Sequence, residues 1–148
     1  QRHRVGGQRG DAGHEQIGVD RREQLGERPG EPRLAAHAAA HAGFDRFVPD
    51  ACLVNRYAPG ARLSLHQDRN ERDFRAPIVS VSLGIPAVFL FGGARRADAA
   101  ARVPLEHGDV VVWGGAARLR YHGVMALKDG HHPLLGRQRV NLTLRKAS

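Results

Sequence analysis

From residue 51 onward the chain is written in short β-forming runs, each closed off by Gly, Pro or a polar turn. The runs are 52–57, 63–68, 78–83, 87–91, 109–113, 119–124 and 139–144. Pro59-Gly60, Gly84-Ile85-Pro86, Gly92-Gly93, Gly114-Gly115 and Asp129-Gly130 stand between them. Runs of this length, rich in Val, Ile, Leu and aromatics and punctuated by turn residues, read as strands and not as helices. Many short strands with tight turns predict a mainly β fold of two antiparallel sheets, of the jelly-roll kind. The glycine pairs are turn glycines. None opens a helix in a spacing that would cradle phosphate, which excludes a nucleotide-binding loop.

The first 33 residues differ in kind. They hold seven Gly and seven Arg, no aromatic, and only Val5, Ile17, Val19 and Leu25 as large aliphatics. No periodicity is visible, so residues 1–33 are expected to be poorly ordered. Out-of-frame reading of a GC-rich gene is another way to produce such a string. Order is expected from Leu34, where nine residues of strong helix formers, 34–42, run up to Gly43 as a helix stop. A single domain, 34–148, follows; at 148 residues and 41% apolar the chain can build one core and no more.

His66-Gln67-Asp68 lies in the alternating run 63–68, where residues two apart share a face. An imidazole and a carboxylate so placed can occupy adjacent positions on one metal ion. A third ligand must come from elsewhere in the fold, and His122 in Tyr121-His122-Gly123 is the candidate. Two His and one carboxylate on one face of an octahedron suit Fe(II) and leave three positions for a chelating co-substrate and O₂. A His-x-Asp by itself is common on solvated surfaces; the far end of the chain is what gives it weight.

Residues 139–145 alternate strictly, with Val140, Leu142 and Leu144 on one face and Arg139, Asn141, Thr143 and Arg145 on the other. An ordinary amphipathic strand would turn that polar face to water. Two arginines on one strand face also suit a small dianion, because the planar guanidinium fork matches a carboxylate. Asn55 and Tyr57, on a second polar strand face, can add neutral hydrogen bonds to the same ligand.

Elsewhere the expectations are plainer. His37 and His41, four apart on the helix, have no third ligand nearby in sequence. His131-His132 reads as an exposed loop, His107 as a turn residue and Trp113 as core beside the site. Cys52, the single cysteine, reads as a small buried hydrophobe; it excludes an internal disulfide and suits a reducing cytoplasm. No membrane span or signal segment is visible. The net charge of +8, nearly all of it carried by residues 49–148, suits a polyanionic partner, although 21 Arg against 2 Lys also reflects an Arg-rich composition.

Taken in order, Asn55-Arg56-Tyr57, His66-x-Asp68, His122 and Arg139-x-Asn141-x-x-x-Arg145 resemble the AlkB-like Fe(II)/2-oxoglutarate-dependent dioxygenases. The resemblance extends through Asn-Arg-Tyr-Ala-Pro-Gly-Ala, Ala-Pro-Ile-Val-Ser-Val-Ser-Leu-Gly and Leu-Glu-His-Gly-Asp-Val-Val-Val-Trp-Gly-Gly, and covers about residues 34–147. It implies a double-stranded β-helix core and oxidative demethylation of alkylated DNA or RNA bases, single strands included, by a monomer. Formaldehyde, succinate and CO₂ would be released. By the same likeness His66, Asp68 and His122 bind iron, while Asn55, Tyr57, Arg139, Asn141 and Arg145 hold 2-oxoglutarate, with Arg139 on the distal carboxylate and Arg145 toward the metal.

Two departures bear on the substrate. The family's aromatic nucleotide-reading lid precedes the helix, where this chain has the aromatic-free residues 1–33. The family pattern also has an acid two residues after the metal-binding Asp, where this chain has Asn70; Arg96 is a further substrate contact by family position. Alternatives are a dioxygenase of another substrate class, or a non-catalytic nucleic-acid-binding remnant.

Overall fold

The computed structural model describes residues 14–20 and 31–148. In chain order the elements are strand β1 (His14–Asp20), helix α1 (Glu31–His41), then β2 (Ala51–Tyr57), β3 (Leu63–His66), β4 (Ile78–Gly84), β5 (Ala87–Phe91), β6 (Ala101–Leu105), β7 (Val110–Trp113), β8 (His122–Val124) and β9 (Arg139–Arg145). A five-stranded sheet runs β1-β2-β9-β4-β7 and a four-stranded sheet runs β3-β8-β5-β6. Neighbouring strands pair antiparallel throughout. This is the mainly β, jelly-roll architecture that the short runs predict.

The structure departs from expectation at several places. His14–Asp20 forms a strand against β2, inside the stretch expected to be poorly ordered. Backbone pairing explains this, since an open strand edge presents N–H and C=O groups to any neighbouring segment, whatever its side-chain pattern. The rest of residues 1–33 before Glu31 lies outside the described residues. The helix begins at Glu31 and not at Leu34. Pro32, which breaks helices elsewhere, is tolerated in a first turn, whose N–H groups have no partner inside the helix. β6 has no counterpart among the expected runs. It is an exposed edge strand carrying Arg102 and Pro104, so it shows neither alternation nor an apolar run. Finally, the run 119–124 is a strand only over His122–Val124, after a 3-10 turn at Gly115–Ala117.

Gly43 ends the helix as the composition predicts. Its φ is +93°, Gly43 N–H donates to Ala40 O (2.9 Å) and Phe44 N–H donates to Ala39 O (2.9 Å). That is the double bond pattern of a Schellman cap. Ala35 and Ala39, one turn apart and fully buried, let the helix lie close on Cys52, Val79, Val81 and Leu144 of the five-stranded sheet. Two further clusters join the sheets. Tyr57 packs with Ala87 and Val124, and Ile78 packs with Phe89, Leu105 and Trp113. A buried side chain such as Ile78 or Leu144 contributes about 1.5–3 kcal/mol. The apolar face of β9 therefore serves the helix side, and its polar face is left for the interior.

Candidate metal and co-substrate site

His66, Asp68 and His122 converge. One ligand atom from each lies within 4.8 Å of the others, the only such group among the described residues. Asp68 Oδ2 is 3.2 Å from His122 Nε2, and Asp68 Oδ1 is 3.7 Å from His66 Nε2. His66 stands directly across the β3–β8 ladder from His122, with ring centroids 4.4 Å apart.

A bulge makes that pairing. Between the Leu63–Val124 and His66–His122 pairs, β3 has two residues where β8 has only Gly123. Such a bulge re-aims the side chains that follow it. Gly123 fits there because a Cβ would meet the Leu63 carbonyl oxygen at 2.5 Å. The expected strand 63–68 stops at His66, so Asp68 reaches the site from a loop and not by strand alternation.

Each imidazole is oriented from behind. His66 Nδ1 lies 2.9 Å from Ser64 O, and His122 Nδ1 lies 3.1 Å from Arg120 O. A carbonyl only accepts, so each Nδ1 donates and each Nε2 is directed to the centre, as in metal sites. Burial holds His66 below its ordinary pKa, helped by the neighbouring His122. Burial alone would raise Asp68. The His122 contact and the Arg145 guanidinium outweigh it and hold the carboxyl well below the usual carboxylate range. Trp113 walls the site, its ring 5.0 Å from that of His122 and 5.6 Å from Phe89.

The polar face of β9 is buried. Arg139, 2% exposed, lies over the Tyr57 ring at 5.0 Å and donates from Nη2 to Ser82 Oγ at 2.8 Å. Its Nε and Nη1, and the Nε of Arg145, are buried without a hydrogen-bond partner among the described residues. Buried donors of this kind are costly unless something accepts from them. A dicarboxylate would meet that need: one carboxylate suits Arg139, and at the other end of β9 Arg145 stands beside the triad, its Nη1 3.5 Å from Asp68 Oδ1. The donor set therefore fits both a 2-His-1-carboxylate iron and a chelating dianion.

Asn141 is placed differently from the other expected ligand residues. It donates to Ser80 Oγ (2.6 Å) and Val81 O (3.1 Å) and accepts from Asn55 (3.2 Å) and Thr143 (2.8 Å). Those four bonds use its whole capacity, so it braces Asn55 and β4. Asn70 is exposed, two residues beyond Asp68. Arg96, also exposed, donates to Leu65 O at 2.5 Å and lies over the Tyr121 ring, one residue from each histidine ligand candidate.

His37 and His41 face each other, Nε2 to Nε2 at 3.2 Å, apart from the site. His107 is a turn residue with an added task, accepting from Gly84 N–H at 2.9 Å and stacking on His132. Missed from sequence were Glu71, Arg118, Ser80 and Ser82, all buried. The Ser-Val-Ser alternation in an otherwise apolar strand was a readable signal for the last two. Glu71 and Arg118 carry no such signal.

A family model, 2OG-Fe(II) oxygenase superfamily, matches residues 13–145. Over 115 residues the chain is 66% identical to the alpha-ketoglutarate-dependent dioxygenase AlkB of Salmonella typhimurium, covering 78% of this chain and 53% of that protein. The nucleic acid dioxygenase ALKBH1 of Homo sapiens is 36% identical over 91 residues, 62% of this chain and 23% of that protein. Among solved structures, OsALKBH1 superposes with a TM-score of 0.74 at 28% identity, covering 90% of this chain and 78% of that one. The chain spans about half the length of the bacterial AlkB relative it matches. Fe(II) and 2-oxoglutarate are the metal and co-substrate of this family. With its His-Asp-His cluster, its buried arginines and its two-sheet core, the chain belongs to the 2OG-Fe(II) oxygenase superfamily, within its AlkB-like branch.

Proposed function

We propose that residues 34–148 are the working domain of an oxygenase that demethylates alkylated bases in DNA or RNA. His66, Asp68 and His122 are the metal ligands in this reading. Arg139 carries it: this buried guanidinium is held by Ser82 and the Tyr57 ring, yet two of its nitrogens have no acceptor among the described residues, and an anionic co-substrate would supply one.

Fe(II), once bound with 2-oxoglutarate, supplies O₂ activation and the oxidising power to hydroxylate an N-methyl group. The chain's own residues do the rest. Ser64 and Arg120 carbonyls hold the two imidazoles with Nε2 toward the metal. Arg139, steadied by Ser82 and the Tyr57 ring, takes the distal carboxylate of 2-oxoglutarate. Asn141 fixes Asn55, which faces the same interior. Trp113 and Phe89 exclude water from the back of the site. The hydroxylated methyl group leaves as formaldehyde, and the co-substrate leaves as succinate and CO₂.

Reaching a methylated base edge requires an unstacked nucleotide, so single strands or flipped bases are the natural substrate. Asn70 and Arg96, exposed beside the ligand loop and the two histidine strands, are the substrate contacts of this reading. The positive balance of residues 49–148 serves the phosphate backbone. No helix among the described residues is long and apolar enough to cross a membrane. A monomer in a reducing cytoplasm completes the reading.

The test is formaldehyde and succinate release from methylated oligonucleotides with Fe(II), 2-oxoglutarate, ascorbate and O₂. Equimolar formation of both is expected. Succinate without formaldehyde across DNA and RNA panels would point to another substrate class, and absence of succinate under all conditions would reject the oxygenase.

A further inference from the structure

Glu71 is the most deeply buried carboxylate among the described residues, its side chain 2% exposed, and no step of the proposed reaction uses it. It lies three residues beyond Asp68 in a loop without regular structure. Two guanidinium groups hold it. Arg145 Nη1 lies 2.5 Å from Oε1, and Arg118 Nη2 lies 3.1 Å from Oε2. Arg118, itself 3% exposed, also donates to Asp68 O at 3.0 Å and to Ala76 O at 3.1 Å, fastening both ends of the ligand loop.

Arg145 therefore has a choice of two carboxylates. Its Nη1 is 2.5 Å from Glu71 but 3.5 Å from Asp68 Oδ1. A charge-assisted N–H···O bond runs at about 2.7–2.9 Å, so Arg145 is bonded to Glu71 and only near Asp68. The carboxylate of Asp68 has to present an oxygen to a dication. A guanidinium closed on that carboxylate would compete for the same lone pairs and the same negative charge. A buried ion pair also needs only one cation for each carboxylate, and breaking it strands a charge in the interior. Here two arginines and two carboxylates balance before any metal arrives. Without Glu71 the group carries an excess positive charge beside the place where a dication must bind.

We propose that Glu71 is a positioning residue that draws Arg145 off Asp68 and so keeps the metal-binding carboxylate free, with Arg118 holding Glu71 in place. The proposal rests on the reading of His66, Asp68 and His122 as metal ligands. It concerns metal affinity and is separable from turnover.

Trp113, the only tryptophan, lies against His122 and reports on the site by fluorescence. The experiment titrates the full chain with Co(II), without 2-oxoglutarate or oxygen, and follows quenching of Trp113. Glu71→Gln is expected to weaken Co(II) binding about tenfold, which is about 1.4 kcal/mol. Arg145→Gln alone is expected to bind Co(II) at least as tightly as the unaltered chain. The double variant Glu71→Gln/Arg145→Gln is expected to return to within about twofold of it, because the competing guanidinium is gone. A purely structural Glu71 would give the opposite pattern, with the double variant as weak as Glu71→Gln or weaker, and that result overturns the proposal. Unchanged affinity in Glu71→Gln overturns it as well. Should Glu71→Gln fail to fold, Arg145→Gln decides alone, since weaker Co(II) binding there is incompatible with competition. An unaltered chain that takes up no Co(II) would overturn the ligand assignment itself, and this inference with it.

Discussion

Arg139 and Tyr57 are cross-strand partners on β9 and β2, and the guanidinium of one lies 5.0 Å above the ring of the other. Burial pushes the Tyr57 hydroxyl above its ordinary pKa, so a neutral phenol faces the cation and leaves the Arg139 charge for a ligand. The same burial lowers Arg139 from its ordinary value, yet an arginine stays protonated through the physiological range. The consequence is a fixed positive charge at the end of β9 opposite to Arg145.

Arg139→Lys keeps the charge and loses the fork. The KM for 2-oxoglutarate is expected to rise at least about tenfold, with kcat at saturating co-substrate reduced far less. Ser82→Ala, which removes the oxygen that receives Arg139 Nη2, should shift the same constant in the same direction by a smaller factor. Steady-state succinate formation measures both. An unchanged KM in Arg139→Lys would remove Arg139 from the co-substrate site.

Asp68→Ala removes the only carboxylate in the ligand group. Metal binding and turnover are both expected to be lost while the fold remains, because Asp68 lies in a loop outside the strand ladder. Co(II) titration beside near-ultraviolet circular dichroism separates the two. Retained metal affinity would discard the triad.

Gly123→Val would place a branched side chain where a Cβ alone meets Leu63 O at 2.5 Å and Leu65 N at 3.2 Å. Both obstacles are backbone atoms, so β3 must move away from β8 and carry His66 with it. Weaker metal binding than in Gly114→Ala is expected, since the latter presses chiefly on the Phe44 ring and Pro77 and not on the ligand strands. Equal effects on metal affinity would mean that the bulge does not set the His66–His122 spacing.

Gly43→Ala isolates backbone strain. Gly43 has φ +93° and nothing within 4 Å of a built Cβ, so no clash accompanies the substitution. A loss of about 1–2 kcal/mol in unfolding free energy is expected, with metal affinity unchanged. Denaturant unfolding measures the first and Co(II) titration the second.

Much of the site was legible in the linear chain. The His66-x-Asp68 spacing, the strict alternation from Arg139 to Arg145 and the order of both with Asn55 and His122 single out the ligand candidates. The helix stop at Gly43 was equally local, because a positive φ at the end of an alanine-rich run is a property of that residue alone. β6 and β1 were not legible, since an edge strand is recruited by hydrogen bonds from its neighbour and needs no apolar pattern of its own.

Alternation also left two possibilities for the polar face of β9, namely water or the interior. α1, with its buried alanines, covers the apolar face, and that packing commits the arginines inward. The sequence by itself determined which side chains share a strand face, because backbone pleating follows from residue number alone. Only the tertiary structure decided which face is buried, how a bulge opposite Gly123 sets His66 across from His122, and which carboxylate Arg145 takes. The last two depend on groups 56 to 77 positions apart along the chain, brought within a few ångströms by burial of the two sheets, and no local pattern encodes them.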